Sequence, residues 1–308
     1  MKYKLFFCST VIFLMSGLSL RAITLNDSIP PGKNFEKALF RIWYPDNLKT
    51  IRGVVVIVPG SNGDGRGETG DKEWQTFAIK NDLALLGCYF TDYPARDMFI
   101  EKYVNVSQGS GQVLLDVLVR FAGSSRHREL AEAPLLLWGM SAGGEFNYEF
   151  TCWRPDRIIA FVVNKGGIYY TALAPEAARA VPGILFTGEK DLDARTDIIK
   201  GLFSMNRRAG ALWVYAQEPG SAHEVGQTIR LTRIFFNEVL PLRLSSPVPA
   251  GTGAKLLPLS ESSGNLGDHK SQTISSVSDG LKYEYPVSWF PGKNSAEAWK
   301  AFVMKKAF

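Results

Sequence analysis

The sequence GMSAG at residues 139–143 places Ser141 between two glycines, a pattern that suits a nucleophilic serine. An apolar strand pattern at 135–138 precedes it, and a helical pattern at 142–152 follows it. A sharp turn from strand to helix would project the Ser141 hydroxyl at the carboxyl edge of a sheet, because glycines two residues to either side lack the Cβ atoms that would collide there. The start of a helix also favours a developing negative charge. The alternative is a glycine-rich turn in which Ser141 only caps the helix.

A serine hydroxyl is a weak nucleophile unless a base takes its proton, and the chain contains 3 histidines that could do so. His127 lies in the polar stretch SSRHREL and His269 in a segment rich in Ser and Gly, so both are expected at the surface. His223 lies in PGSAHEVG, between a predicted strand at 211–215 and the last helix. That position puts His223 at the carboxyl edge of the sheet and makes it the candidate base. The alternative for His223 is a polar residue that flanks a helix.

A carboxylate is needed to hold the imidazole in the correct tautomer and to stabilise its cation. The predicted strand at 183–186 runs into TGEKD, which ends at Asp191. Asp191 is the first candidate because it follows the strand in a short turn. Glu189 and Asp193 are its rivals, and a surface aspartate in a turn is the alternative reading.

Strand-length apolar runs alternate with helical patterns along most of the chain. This alternation predicts an α/β fold with a mostly parallel central sheet and helices on both faces. The predicted strands are 40–44, 53–58, 87–91, 135–138, 159–163, 183–186 and 211–215, and the predicted helices are 72–86, 108–123, 142–152, 196–205 and one ending near 240–241.

The chain changes character after the last predicted helix. Residues 244–282 are rich in Ser, Gly and Pro, whereas 283–308 contain Trp289, Phe290, Trp299 and Phe302. These aromatic residues indicate a segment that packs. We therefore expect a main domain at 23–243 and a C-terminal extension at 244–308 that folds back on it.

These features together resemble the α/β-hydrolase family over about residues 35–242. The resemblance is carried by GMSAG between strand and helix, TGEKD after a later strand, SAHEVG after the next, and the order Ser141, Asp191, His223. It implies acyl transfer, usually ester hydrolysis, with Ser141 as nucleophile, Asp191 as acid and His223 as base. No cofactor is expected, and no Cys or His cluster has metal-ligand spacing.

Acyl transfer also needs hydrogen-bond donors for the tetrahedral oxyanion. The backbone N–H of Ala142 is one candidate, and the loop at 59–67 should supply the other. Many family members have His-Gly at the start of this loop where this chain has Pro-Gly, so either Ser61 or Asn62 could donate, and Ser61 is preferred. A phosphate-binding loop is the rival interpretation of GDGRG at 63–67, but its glycine spacing and its distance from the predicted strand disfavour a dinucleotide site.

Only about twenty residues separate the predicted strand ending at 163 from the one beginning at 183, a region that often carries a lid in this family. So short a segment predicts an open site, suited to a glycan-linked or polymeric ester, with a small-molecule ester also possible. Asn62, Tyr169 and Tyr170 are candidate substrate contacts, with core packing as the alternative for the tyrosines. Lys165 is expected either in solvent or facing an acidic substrate group. A non-catalytic binding protein of the same fold, a serine peptidase and an acyltransferase are the other hypotheses.

Residues 1–22 have a basic start, an apolar stretch and small residues at the end, which is the layout of a signal peptide for a secreted or periplasmic protein. An uncleaved anchor is the alternative. No other stretch is long and apolar enough to predict a membrane span in the mature chain. The mature chain would retain Cys88 and Cys152, too few for a disulfide framework.

Overall composition, with 45% hydrophobic and 21% charged residues among 308, is that of a folded, enzyme-sized protein. The net charge of +5 includes Lys2, Lys4 and Arg21 from the first 22 residues, which contain no acid. The remainder carries +2, which argues against a nucleic-acid partner. The sequence does not predict the oligomeric state.

Overall fold

The computed structural model describes residues 21–94, 101–246, 248–249, 252–280 and 282–306. Its central sheet has eight strands in the order β1-β2-β4-β3-β5-β6-β7-β8. The pairs β1–β2 and β2–β4 are antiparallel, and the remaining pairs are parallel. The strands are β1 Ala22–Ile29, β2 Lys37–Pro45, β3 Gly53–Val58, β4 Leu83–Thr91, β5 Leu135–Met140, β6 Ile158–Asn164, β7 Gly183–Gly188 and β8 Trp213–Glu218.

Helices cover both faces of this sheet, which confirms the predicted fold class. The helices are α1 Lys72–Asn81, α2 Ser110–Ser124, α3 Ala142–Trp153, α4 Glu176–Arg179, α5 Asp193–Arg208, α6 Thr228–Arg243 and α7 Lys293–Val303. In one apolar core, side chains of α2, α3 and α5 pack with alternate residues of the strands, and in the other core those of α1, α6 and α7 pack on the opposite face. Strand β3 contributes to both cores, which explains its continuous run of β-branched residues.

Two predicted boundaries near α1 are wrong. The helix predicted at 72–86 ends at Asn81, because Asp82 takes a left-handed conformation with φ 56° and caps it. Strand β4 then begins at Leu83 rather than at 87, in register with Gly53 of β3. The apolar run at 83–86 fits a helix and a buried strand equally well, so its sequence pattern could not place this boundary.

Strand β1 was not predicted, because its residues alternate between exposed and half-buried and show no continuous apolar run. Residues 1–20 of the predicted signal peptide lie outside the described residues. Among helices in the described ranges, none combines the length and apolar character needed to cross a membrane.

The C-terminal residues form a small unit against the β8 side of the sheet. Three short strands pair antiparallel in the order β10-β9-β11 and are followed by α7. The Trp299 indole donates to the Tyr215 carbonyl at 2.9 Å, and the Tyr215 amide donates to the Ser288 hydroxyl at 2.9 Å. The tail thus packs on the main sheet, as its aromatic residues predict. Its strands, which the sequence pattern did not predict, are β9 Asn265–Gly267, β10 Ile274–Ser276 and β11 Ser288–Phe290.

Two histidines expected at the surface instead pack against other side chains, His127 fully buried and His269 half-buried. His127 is 2% exposed, with its Nδ1 2.8 Å from the Glu129 carboxylate. His269 packs against the rings of Phe203, Tyr215 and Trp299, and burial lowers its pKa to about 4. Both lie in polar stretches, so only tertiary contacts reveal their burial.

The two cysteines described by the structure, Cys88 and Cys152, are free thiols. Cys88 is buried in β4, where it acts as a small apolar side chain.

Candidate active site

Ser141 lies in a strained turn between β5 and α3. Its backbone has φ 54° and ψ −125°, a conformation that residues other than glycine rarely adopt. A Cβ on Gly139 would collide with the Gly143 backbone, and one on Gly143 would collide with the carbonyl oxygen of Val58. The glycines therefore permit the close approach of β3, β5 and α3 that the motif predicts. The Ser141 side chain makes no capping hydrogen bond to α3, so the reading of a simple capping serine is wrong.

The structure brings the three candidate polar side chains together. His223 Nε2 lies 3.0 Å from Ser141 Oγ, and His223 Nδ1 lies 2.9 Å from Asp191 Oδ2. The His223 side chain is 33% exposed, whereas that of Asp191 is 3% exposed. A hydrogen-bonded chain thus runs from a partly exposed hydroxyl through both ring nitrogens to a buried carboxylate.

Asp191 is held in place on both of its oxygens. Besides His223, it accepts hydrogen bonds from the Leu192 amide at 2.8 Å and from the Arg195 guanidinium at 2.5 Å. Burial alone would raise the pKa of Asp191, but the hydrogen bonds from His223 and Leu192 and the charge of Arg195 hold it below its usual value. The carboxylate is therefore ionised at neutral pH. The helical spacing of four residues between Asp191 and Arg195 could have suggested this pair from the sequence.

The rival acids lie elsewhere. Glu189 is exposed and accepts a hydrogen bond from the Gly220 amide at 2.5 Å, and Asp193 is an exposed first residue of α5. Within the described residues, neither contacts His223 through a hydrogen bond.

The loop after β3 lies against the start of α3. The Gly63 amide donates to the Gly60 carbonyl at 2.9 Å, which leaves Ser61 and Asn62 at the tip of a tight turn. The Asn62 amide faces the Tyr103 hydroxyl at 3.4 Å, and its side-chain oxygen accepts from the Asp92 amide at 2.8 Å. Asn62 therefore ties the loop to the end of β4. The backbone amides of Ser61 and Ala142 have no acceptor among the described residues.

The segment between β6 and β7 is tied down onto α3 by two acids that the sequence analysis missed. Glu145 accepts from the amides of Gly167 and Ile168 at 2.7 and 3.1 Å, and burial raises its pKa to about 7. Glu149 holds Thr171 in the same way, through its amide at 3.0 Å and its hydroxyl at 2.8 Å.

The two tyrosines of this segment have different environments. Tyr169 packs its ring against Tyr148, with centroids 5.1 Å apart, as the core-packing alternative predicts. Tyr170 remains 50% exposed.

Lys165 is neither in solvent nor turned toward a substrate. Its side chain is fully buried, and Nζ lies 2.7 Å from a Glu218 carboxylate oxygen and 2.7 Å from the Glu224 carbonyl. Both expectations for this residue are therefore wrong. No local sequence pattern indicates this ion pair, since Glu218 lies 53 residues further along the chain.

Among known proteins, no family model and no curated protein matches the chain in sequence. Solved structures match in fold. A ferulic acid esterase superposes with a TM-score of 0.55 at 11% identity, covering 72% of this chain and 99% of its own. A poly(aspartic acid) hydrolase from Sphingomonas sp. KT-1 superposes with a TM-score of 0.52 at 14% identity, covering 68% of this chain and 97% of its own. An S-formylglutathione hydrolase from Staphylococcus aureus superposes with a TM-score of 0.50 at 10% identity, covering 71% of this chain and 99% of its own. Likeness at these identities shows a shared fold.

Proposed function

We propose that this chain, which has the α/β-hydrolase fold, is a serine hydrolase that cleaves carboxylic esters. The observation that carries the proposal is the continuous hydrogen-bonded chain from Ser141 Oγ through His223 to Asp191. The strained backbone of Ser141 also supports a catalytic role over a non-catalytic one, because strain of this kind is enforced by the surrounding structure and is found mostly at functional sites.

The chemistry follows from the geometry. His223 Nε2 takes the hydroxyl proton as Ser141 Oγ attacks the acyl carbon, and Asp191 stabilises the imidazolium that forms. His223 then gives the proton to the departing alcohol, which leaves an ester of Ser141. Water, deprotonated by His223, attacks that ester, and His223 returns the proton to Ser141 Oγ as the carbon–Oγ bond breaks and the acid is released. The amides of Ser61 and Ala142 are the proposed donors to the oxyanion in both steps.

A chain of these three residues does not by itself select the leaving group. The ester assignment is supported by the fold shared with a ferulic acid esterase over 72% of this chain. A serine peptidase or an acyltransferase is the alternative, and the likeness to a poly(aspartic acid) hydrolase keeps amide substrates among those to be tested.

Covalent labelling tests the nucleophile directly. A fluorophosphonate should form an adduct on Ser141, and His223→Ala should abolish it, because the hydroxyl then lacks the base that makes it reactive. Peptide mass mapping locates the adduct, and circular dichroism checks that the variant is folded. Labelling of another serine, or undiminished labelling of His223→Ala, would contradict the proposal.

The substrate is proposed to be a glycan-linked or polymeric ester. Support comes from the partial exposure of Ser141 and His223 and from the hydrogen bonds that draw the segment between β6 and β7 onto α3. A bulky substrate could then approach without displacing a lid.

A panel of acetylated and feruloylated glycans, short-chain esters, a polyester and long-chain triglycerides tests this assignment. Higher kcat/KM on the glycan esters or the polyester than on the triglycerides is the expected result. Preference for long-chain triglycerides would rule out the open-site interpretation.

The layout of residues 1–22 supports a secreted or periplasmic location. The small residues at the end of this stretch suit cleavage after Ser19 or Ala22, so sequencing the N-terminus of the mature protein checks this proposal, with residue 20 or residue 23 expected first.

A further inference from the structure

The loop that carries His223 lies at the protein surface. It joins β8 to α6, and residues 222–227 are exposed. Gly220 and Gly226 within or beside it have positive φ angles of 74° and 61°. Such a loop would sample many positions without anchors, so something must hold the imidazole within hydrogen-bond distance of Ser141.

Two consecutive residues at the end of β6 hold this loop through side-chain hydrogen bonds to its backbone. The Asn164 side chain donates to the Val225 carbonyl at 3.0 Å, and the Lys165 ammonium donates to the Glu224 carbonyl at 2.7 Å. These carbonyls belong to the two residues directly after His223. The Asn164 carbonyl also accepts from the Ser141 amide at 2.8 Å, so the nucleophile and the base are fixed to the same point of the backbone.

Glu218 completes the arrangement. One of its carboxylate oxygens lies 2.7 Å from Lys165 Nζ, and the other accepts from the Gln227 amide at 2.7 Å. The ion pair therefore spans the loop, with the cation on Glu224 and the anion on Gln227. The side chains of Lys165 and Glu218 are 0% and 8% exposed, so water does not compete for these contacts.

The Lys165 backbone is itself constrained. Its φ of 54° is in the left-handed region, which is unusual for a residue with a long side chain. Its amide donates to the Phe186 carbonyl of β7, the strand that leads to Asp191. Lys165 thus connects the strand of the acid with the loop of the base.

We propose that the buried Lys165–Glu218 pair is a positioning element that sets the location of His223 between Ser141 and Asp191. This inference deepens the proposed function and rests on it. The pair does not reach the reacting atoms, and its effect passes through the backbone on the C-terminal side of His223.

The first test is Lys165→Met, which keeps much of the side-chain volume and removes the ammonium. We expect kcat to fall about 100-fold, the size of effect that follows from displacing a catalytic group by about 1 Å, with KM changed less than about 2-fold. The downfield proton NMR signal of the hydrogen-bonded His223 Nδ1–H should weaken or disappear. A kcat within about 3-fold of the wild type would overturn the proposal.

A second variant separates positioning from stability. Lys165→Met leaves Glu218 as an unpaired buried charge, which destabilises a fold, whereas Lys165→Met with Glu218→Met leaves none. The double variant should therefore regain resistance to denaturant, while kcat and the Nδ1–H signal stay low. Recovery of kcat together with stability would show that the pair only stabilises the fold. The double variant also serves if the single variant does not fold.

Arg157→Met is the matched control. Arg157 precedes β6 as Lys165 follows it, is 6% exposed and donates to the carbonyls of Ala131 and Ala133. It lies about 26 Å from Lys165 along the strand, so its loss should lower stability and leave kcat unchanged at temperatures well below unfolding. If Ser141→Ala leaves hydrolysis intact, the proposed function fails. If Ser141→Ala is inactive and Lys165→Met is not impaired, only the positioning inference fails.

Discussion

Ser141→Ala is expected to lower kcat for the preferred ester by at least about 10⁴-fold, because it removes the hydroxyl on which the proposed acyl intermediate forms. His223 Nε2, which lies 3.0 Å from Ser141 Oγ and accepts the hydrogen bond of its hydroxyl, would lose this partner without any change in the turn itself. Steady-state kinetics on the purified protein measures the effect. The remaining rate would come from donors that bind the oxyanion of a substrate attacked directly by water.

Two control variants keep this result unambiguous. Ser278→Ala removes an exposed serine of the C-terminal unit and should leave kcat unchanged. Ser141→Gly removes the hydroxyl and also relieves the strain at φ 54°. It should be as inactive as Ser141→Ala, and its free energy of unfolding should exceed that of Ser141→Ala by about 1–3 kcal/mol. Retained hydrolysis in both Ser141 variants would remove this residue from the mechanism.

The opposite effects expected of Ser141→Gly on activity and stability have a common origin. The surrounding structure forces Ser141 into an unfavourable backbone conformation, and in that conformation its hydroxyl projects toward His223. Packing of Gly143 against β3 maintains the turn. Stability is thus lower than the chain could achieve, as is common where a residue is held ready to react.

The turn at Ser141 could be predicted from the sequence because its constraint is local. The absence of a Cβ on Gly139 removes a collision with the Gly143 backbone within the same five residues, and the strand and helix on either side have clear patterns. The meeting of Ser141 with His223 could also be predicted, because parallel strands end at one edge of a sheet. That reasoning gives a neighbourhood rather than a distance, so it left Asp191 among three acids.

Residues whose roles depend on distant partners could not be predicted in this way. The local sequence predicts a solvated Lys165, but in the structure Lys165 forms a buried ion pair with Glu218. The local sequence likewise predicts an exposed His127, but Tyr44 packs against its ring. Glu145 lies on the predicted helix, but its bonds to the amides of Gly167 and Ile168 depend on the path of a loop without periodicity. In each case a polar side chain is buried by satisfying one particular partner, and local sequence carries no record of that partner.

Asn62 shows a related limit. From the sequence, the backbone amide of either Ser61 or Asn62 could be the second oxyanion donor, with Ser61 preferred. In the structure the Asn62 side-chain oxygen accepts a hydrogen bond from the Asp92 amide, and the Asn62 amide donates to the Tyr103 hydroxyl. The Ser61 amide, in contrast, has no acceptor among the described residues. The distinction depends on the end of β4, which lies about thirty residues away and could not be read from the loop.

Asp191→Asn is expected to lower kcat by about 10⁴-fold at neutral pH while leaving the fold intact. An asparagine amide group can donate to His223 Nδ1 and so favours the tautomer whose proton sits on Nε2. That proton would point at Ser141 Oγ, and the ring could no longer accept the hydroxyl proton. The Arg195 guanidinium, 2.5 Å from Asp191 in the native protein, would then face a neutral group and further disfavour the imidazolium.

The pH dependence of the native enzyme should also reflect the ionised state of Asp191. Because the pKa of Asp191 is held below its usual value, its carboxylate stays ionised as pH falls through the neutral range, so protonation of Asp191 should not lower kcat/KM there. Glu189→Gln and Asp193→Asn are matched controls in the same turn, and each should keep kcat within about 2-fold. A large loss of kcat in either control, together with a small loss in Asp191→Asn, would show that Asp191 is not the acid. A large loss in Asp191→Asn alone would show that the buried carboxylate acts by fixing which imidazole nitrogen is free to take the proton.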